Sequence, residues 1–151
     1  MGGSRGARAI REIRNIRSVV NGSSRSGSVI LVAEDHLDSR DALKTLLEAV
    51  GYRVEVATDG RQAVTKAVEK HPALILMDMM MPEMDGFEAT RMLRRRADMK
   101  DVPIVALTAL DGARENVLAA GCDDYVTKPI DMPAFLEKLE RWLSTGRRHS
   151  F

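Results

Sequence analysis

One cysteine, Cys122, in 151 residues rules out an internal disulfide and makes a reducing cytoplasm the expected setting. Aromatic residues make up only 4%, beside 44% hydrophobic and 30% charged, the balance of a water-soluble globular chain. No apolar run is long enough to cross a membrane. Nor is the basic N-terminus followed by the apolar block of about 7–15 residues that a secretory signal needs. Glycine is missing where a dinucleotide-binding turn would require it: "EDHLD" follows the first apolar run, and its charges would repel a pyrophosphate. Neither sign of charge dominates, for the net charge is +1.

That small net charge conceals an asymmetry. Residues 1–28 hold six arginines against Glu12, a charge of +5, which leaves −4 for the rest. The segment closes in "NGSSRSGS", a linker composition. Residues 1–28 therefore read as a basic, flexible leader. The alternative is a short amphipathic helix presenting Ile10, Ile13, Ile16 and Val20 to something it docks on. Five arginines spaced by three turn through about 240° on a helix, so they wrap it instead of lining one face. A nucleic-acid or membrane contact by the leader would be a separate function, and a dedicated groove reader is not expected.

From Val29 onward short apolar runs alternate with helical periodicity. "VILVA" (29–33), "YRVEVA" (52–57), "ALILM" (73–77), "VPIVALT" (102–108) and "DYVTK" (124–128) read as strands. Between and after them come helical patterns: Ala42 to Val50 stopped by Gly51, Ala63 to Val68 ended by His71-Pro72, 87–96, 113–121, and 132–143 with Pro133 near its start. This is (βα)5 in an α/β chain, which implies a doubly wound parallel sheet with ligands outside the carboxyl ends of the strands. One domain over 29–144 accommodates it, leaving 145–151 as a short tail.

Those carboxyl ends carry the chemistry. The first strand ends in Glu34-Asp35, the third in Asp78, the fourth in Thr108 and the fifth in Lys128-Pro129. Three carboxylates gathered at one edge repel, and at least one must have a raised pKa unless a counterion joins them. Mg²⁺ accepts such a partial oxygen set and keeps room for phosphate. A lysine and a hydroxyl can hold phosphoryl oxygens, and a carboxylate can itself be the nucleophile, forming an aspartyl phosphate.

With "VILVAEDHLDSR", "LILMDMMMPEMDG", "IVALTA" and "GCDDYVTKP" in order at matching strand ends, residues 29 to about 144 resemble the receiver domain of two-component response regulators. The resemblance implies a flavodoxin-like fold with strand order 2-1-3-4-5. It implies Asp78 as phosphoacceptor and Glu34, Asp35, Asp78 and the backbone carbonyl of Met80 as ligands of Mg²⁺, with Mn²⁺ as a substitute. Lys128 corresponds to the phosphate-contacting lysine, Thr108 to the switch hydroxyl and Tyr125 to the switch aromatic. The implied function is to accept phosphate from a sensor histidine kinase or histidine phosphotransfer protein and to change the helix 4–strand 5–helix 5 face, about residues 111–143. A downstream protein target would dock there, or a second copy in a phosphorylation-dependent homodimer. Such a protein helps catalyse its own phosphorylation and dephosphorylation but is not a dedicated enzyme. It resembles stand-alone, chemotaxis-regulator-like receivers, and no DNA-binding or other output domain is expected after Leu143.

Two positions depart from the common family pattern: the first acid is Glu34, and Ala73 follows Pro72 where an acid is frequent. A dehalogenase-type phosphotransferase would need an acid two residues past the nucleophile, where Met80 stands. A receiver that works without phosphorylation would have lost one of the acids or the lysine, and all are present. Met77, Met79, Met80 and Met81 read as packing and loop residues, because thioethers suit soft metals. His36, His71 and His149 lack metal-ligand spacing and read as surface residues, and Cys122 as an inert small one. Lys128-Pro129 reads as a position where the family implies a cis peptide, although trans is the commoner isomer.

Overall fold

The computed structural model describes residues 28–109 and 113–145, so all of the leader but Ser28 lies outside the described residues, as does the tail from 146. Five strands alternate with five helices. They are β1 (Val29–Ala33), α1 (Leu37–Ala49), β2 (Arg53–Ala57), α2 (Gly60–Lys70), β3 (Leu74–Asp78), α3 (Gly86–Arg94), β4 (Ile104–Thr108), α4 (Arg114–Ala120), β5 (Asp124–Thr127) and α5 (Met132–Thr145), with a 3₁₀ turn at Ala97–Met99. All neighbouring strands are parallel. Their order is β2-β1-β3-β4-β5, the flavodoxin-like arrangement expected.

The pleat sorts each strand's side chains to two cores. On one face Ile30, Val32, Leu74, Leu76, Val105 and Leu107 pack against Leu43 and Leu47 of α1 and Phe135 and Leu139 of α5. On the other, Leu31, Ile75, Met77 and Ile104 meet Ala63 and Ala67 of α2, Ala89 and Leu93 of α3, and Val117 of α4. The central strands β3 and β4 are buried throughout, which is why they read as unbroken apolar runs. Phe135 and Trp142 stack edge to face, with centroids 5.8 Å apart. Among the described residues no helix is long and apolar enough to cross a membrane.

Element limits differ from the periodicity reading where local chemistry intervenes. Tyr52 precedes β2 because its amide closes α1 on the Leu47 carbonyl, 3.1 Å away. Pro103 lies before β4: it has no N–H for the ladder, though its carbonyl accepts from Ile75 at 3.0 Å. β3 runs one residue later than expected, so Asp78 is its last member. Helices α2 and α3 start on aspartates, with Asp59 accepting from the Gln62 amide at 2.8 Å and Asp85 from the Glu88 amide at 2.9 Å.

Candidate functional site

β1 and β3 are neighbours, but the chain leaves β1 to build β2 before crossing back to β3. A cleft at their carboxyl ends is the topological switch point of such a sheet. Glu34 follows β1 directly and is fully buried, and Asp78 closes β3 with 4% exposure. Lys128 reaches across from the end of β5. Its Nζ donates to Glu34 Oε1 at 2.5 Å and to Asp78 Oδ2 at 3.2 Å. The Met80 amide donates to the other Asp78 oxygen at 3.0 Å. Residues 94 and 50 positions apart in sequence thus share one ammonium.

Burial first, and then the neighbouring Glu34, push the Asp78 carboxyl up to about 7, against the opposing influence of the Met80 amide and Lys128. Glu34 moves the other way. Burial works to raise its pKa, but hydrogen bonds with Asp78, Lys128 and the His36 amide outweigh it, and the pKa falls below the usual carboxylate value. Without a cation, Glu34 is the ionised partner and Asp78 carries a share of the proton near neutral pH. The lysine stays charged: burial disfavours its ammonium, but the two carboxylates raise its pKa overall.

Asp35 completes the acidic edge. Its Oδ1 is buried and has no hydrogen-bond partner. Ligand atoms of Glu34, Asp35 and His36 all lie within 4.8 Å of one another. An orphaned carboxylate oxygen beside a second carboxylate fits a hard divalent cation, which supplies the missing counter-charge. The β1–α1 loop that carries these acids is held by Arg40, whose guanidinium donates to the Glu34 and Asp35 carbonyls at 3.1 and 3.3 Å.

Thr108 ends β4, 1% exposed, one residue beyond Leu107, the register partner of Asp78. Its carbonyl accepts from the Lys128 amide at 2.8 Å, and the Lys128-Pro129 peptide is cis. Tyr125 pairs in register with Ala106, and Thr127 with Thr108. Alternation therefore places Thr108 and Tyr125 on the same face of the sheet. The tyrosine is half-buried and packs against the core under α2, α3 and α4. Of the remaining methionines, Met77 and Met79 are fully buried and Met80 stands out at the cleft rim.

The structure brings Glu34, Asp78 and Lys128 into contact, sets Asp35 beside Glu34 at the same edge, and places Thr108 and Tyr125 on β4 and β5. Sequence reasoning passed over three supporting residues. Gly86 opens α3 so close to β3 that a Cβ there would lie 2.3 Å from the Asp78 carbonyl oxygen; in sequence it reads as turn punctuation. Arg94, one of three consecutive arginines, donates to the carbonyls of Gly121, Met99 and Val102 and to Asp123 Oδ2, at 2.8–3.0 Å. Arg40 is the third. Cys122 is buried, and burial pushes its thiol up to about 11, in keeping with an unreactive residue.

An α/β sheet with acids, a lysine and a hydroxyl at its carboxyl edge has the groups that phosphoryl transfer requires. Residues 30–140 match the family described as the response regulator receiver domain, and the chain belongs to that family. It is 34% identical over 116 residues to the polar-differentiation response regulator DivK of Brucella ovis, covering 76% of this chain and 94% of that protein. Among solved structures, the receiver domain of a sensor histidine kinase from Pseudomonas aeruginosa, with a magnesium ion coordinated in its active-site cleft, superposes with TM-score 0.73. It is 40% identical, over 79% of this chain and 99% of that one. A receiver domain of a signal-transduction histidine kinase from Syntrophus aciditrophicus has TM-score 0.72 and 37% identity, over 78% and 91% of the two chains. The chain is thus a receiver of two-component phosphorelay signalling.

Proposed function

We propose that Asp78 is the phosphoacceptor of this receiver, taking its phosphoryl group from a phosphohistidine on a sensor kinase or a histidine phosphotransfer protein. An Asp78 carboxylate oxygen attacks phosphorus, the new O–P bond forms as the P–N bond breaks, and the donor imidazole leaves with the bonding pair. The observation that carries this reading is the Asp78 carboxylate, buried at a parallel-strand end between the Met80 amide and the Lys128 ammonium. Asp78 reacts as a carboxylate, so the groups that favour its charged form set how much of it is ready. Lys128 then meets the transferred oxygens, and the Thr108 hydroxyl offers them a further hydrogen bond.

Glu34, Asp35, Asp78 and the Met80 carbonyl would hold Mg²⁺, or Mn²⁺ in its place. The cation would neutralise the carboxylates and the phosphoryl oxygens. Residues 29–144 form the receiver in this reading, with 1–28 a basic leader and 145–151 a tail. The phosphoryl group adds roughly two negative charges. A Thr108 hydroxyl drawn toward them vacates space into which Tyr125 turns, remodelling the α4–β5–α5 face for a target protein or a second copy.

A second reading concerns the setting. Two of the similar structures are receivers of histidine kinases, which favours a relay role in which Asp78 passes its phosphoryl group onward to a histidine phosphotransfer protein. Intact-mass measurement after acetyl phosphate and Mg²⁺ tests the acceptor assignment. Wild type should gain one phosphoryl group and Asp78→Asn none; equal modification of both would refute it. Return of label to a histidine phosphotransfer protein separates relay from terminal output.

A further inference from the structure

We infer that His36 is an additional donor at the cation pocket and tunes it toward a borderline transition-metal ion such as Co²⁺ over Mg²⁺. The inference rests on the reading of Glu34 and Asp35 as cation ligands. His36 Nδ1 stands 3.5 Å from Asp35 Oδ1. That separation exceeds a good hydrogen bond. Two atoms bound at about 2.1 Å to one cation, roughly 100° apart, are about 3.2 Å from each other, so both can reach one ion with little movement. The Asp35 oxygen facing the imidazole is the buried atom without a hydrogen-bond partner. Glu34 supplies the third ligand atom within 4.8 Å.

Helix chemistry does not account for this histidine. It occupies the N-cap of α1, where Ser, Thr, Asp or Asn would bond the first turn, yet its side chain makes no capping hydrogen bond. Its backbone is fixed, with the amide on Glu34 Oε2 at 3.2 Å and the carbonyl accepting from Arg40 at 2.9 Å. The imidazole itself is 75% exposed and able to turn at the pocket mouth. An imidazole nitrogen adds little for Mg²⁺, which demands oxygen, and favours Co²⁺ and the later first-row ions.

Titration of the full metal-free chain with Mg²⁺ and with Co²⁺ tests this, with His36→Ala and His71→Ala as variants. His71 caps the far end of α2 and serves as the remote control. His36→Ala should lower Co²⁺ affinity about tenfold or more, leave Mg²⁺ affinity within about twofold, and alter the Co²⁺ absorption spectrum. His71→Ala should change none of these. Unchanged Co²⁺ binding in His36→Ala, with Mg²⁺ still bound by wild type, overturns the role of His36 and leaves the pocket reading standing. Equal loss of both ions in His36→Ala, or equal loss of Co²⁺ in both variants, also overturns it. Wild type that binds neither ion removes the pocket reading and the inference with it.

Discussion

Replacing Asp78 with asparagine should stabilise the metal-free protein at alkaline pH, because it deletes the charge that folding penalises. The folded carboxyl is raised from 3.8 to about 7. A raised folded pKa means stability fully present below the unfolded value and lost as pH climbs through the folded one. At about 1.36 kcal/mol per pKa unit the whole shift is worth roughly 4 kcal/mol, of which about 2–3 fall between pH 5 and 7. The lowered pKa of Glu34 works in the opposite direction, but its contribution is complete once pH exceeds its unfolded value of 4.5. It therefore leaves the upper window to Asp78. An asparagine oxygen can still accept from the Met80 amide, and Lys128 keeps Glu34. Urea denaturation with a chelator should show wild type losing roughly 2–3 kcal/mol relative to Asp78→Asn from pH 5 to pH 8. Added Mg²⁺ should then stabilise wild type selectively, by about 2.7 kcal/mol at a hundred times its Kd. Parallel pH curves for the two proteins would refute the shared-proton account of the Glu34–Asp78 pair.

Gly86→Ala should cost about 1–3 kcal/mol and slow phosphorylation from acetyl phosphate, since its Cβ would press on the Asp78 carbonyl oxygen 2.3 Å away; wild-type rates would discount that packing. Arg94→Ala should lower stability by roughly 3–5 kcal/mol in a urea titration by taking the guanidinium away from the Asp123 carboxylate, to which the Ile104 amide also donates. Arg94→Lys should restore little, because one ammonium cannot serve the four acceptors the guanidinium reaches. Thr108→Ala should leave Asp78 phosphorylatable but weaken the response of Tyr125 to beryllofluoride, followed by fluorescence or NMR. An undiminished response would mean that the coupling bypasses Thr108.

Strand and helix order, the parallel sheet and the edge to which Glu34, Asp35, Asp78, Thr108 and Lys128 belong were determined by the sequence itself, because burial on both faces of β3 and β4 writes itself as continuous apolar runs and the connecting helices as 3.6-residue periodicity. Those signals are local. What the tertiary structure alone decided is how side chains meet once crossovers bring distant strand ends together. One example is the Glu34–Asp78 pair bridged by Lys128, where burial and the hydrogen bond between the two carboxyls split them into an ionised and a proton-sharing partner. Arg94 looks like any member of a charged helix face, and becomes a clasp only because Gly121 and Asp123, 27 and 29 residues on, fold back against it. Gly86 serves close packing as much as turning, since β3 lies beneath it. His36 follows the acids directly in the chain; what the folded loop adds is the hydrogen bond from its amide to Glu34 Oε2. Periodicity records which face a residue turns to the core; the register and crossovers of the finished sheet decide whom it meets there.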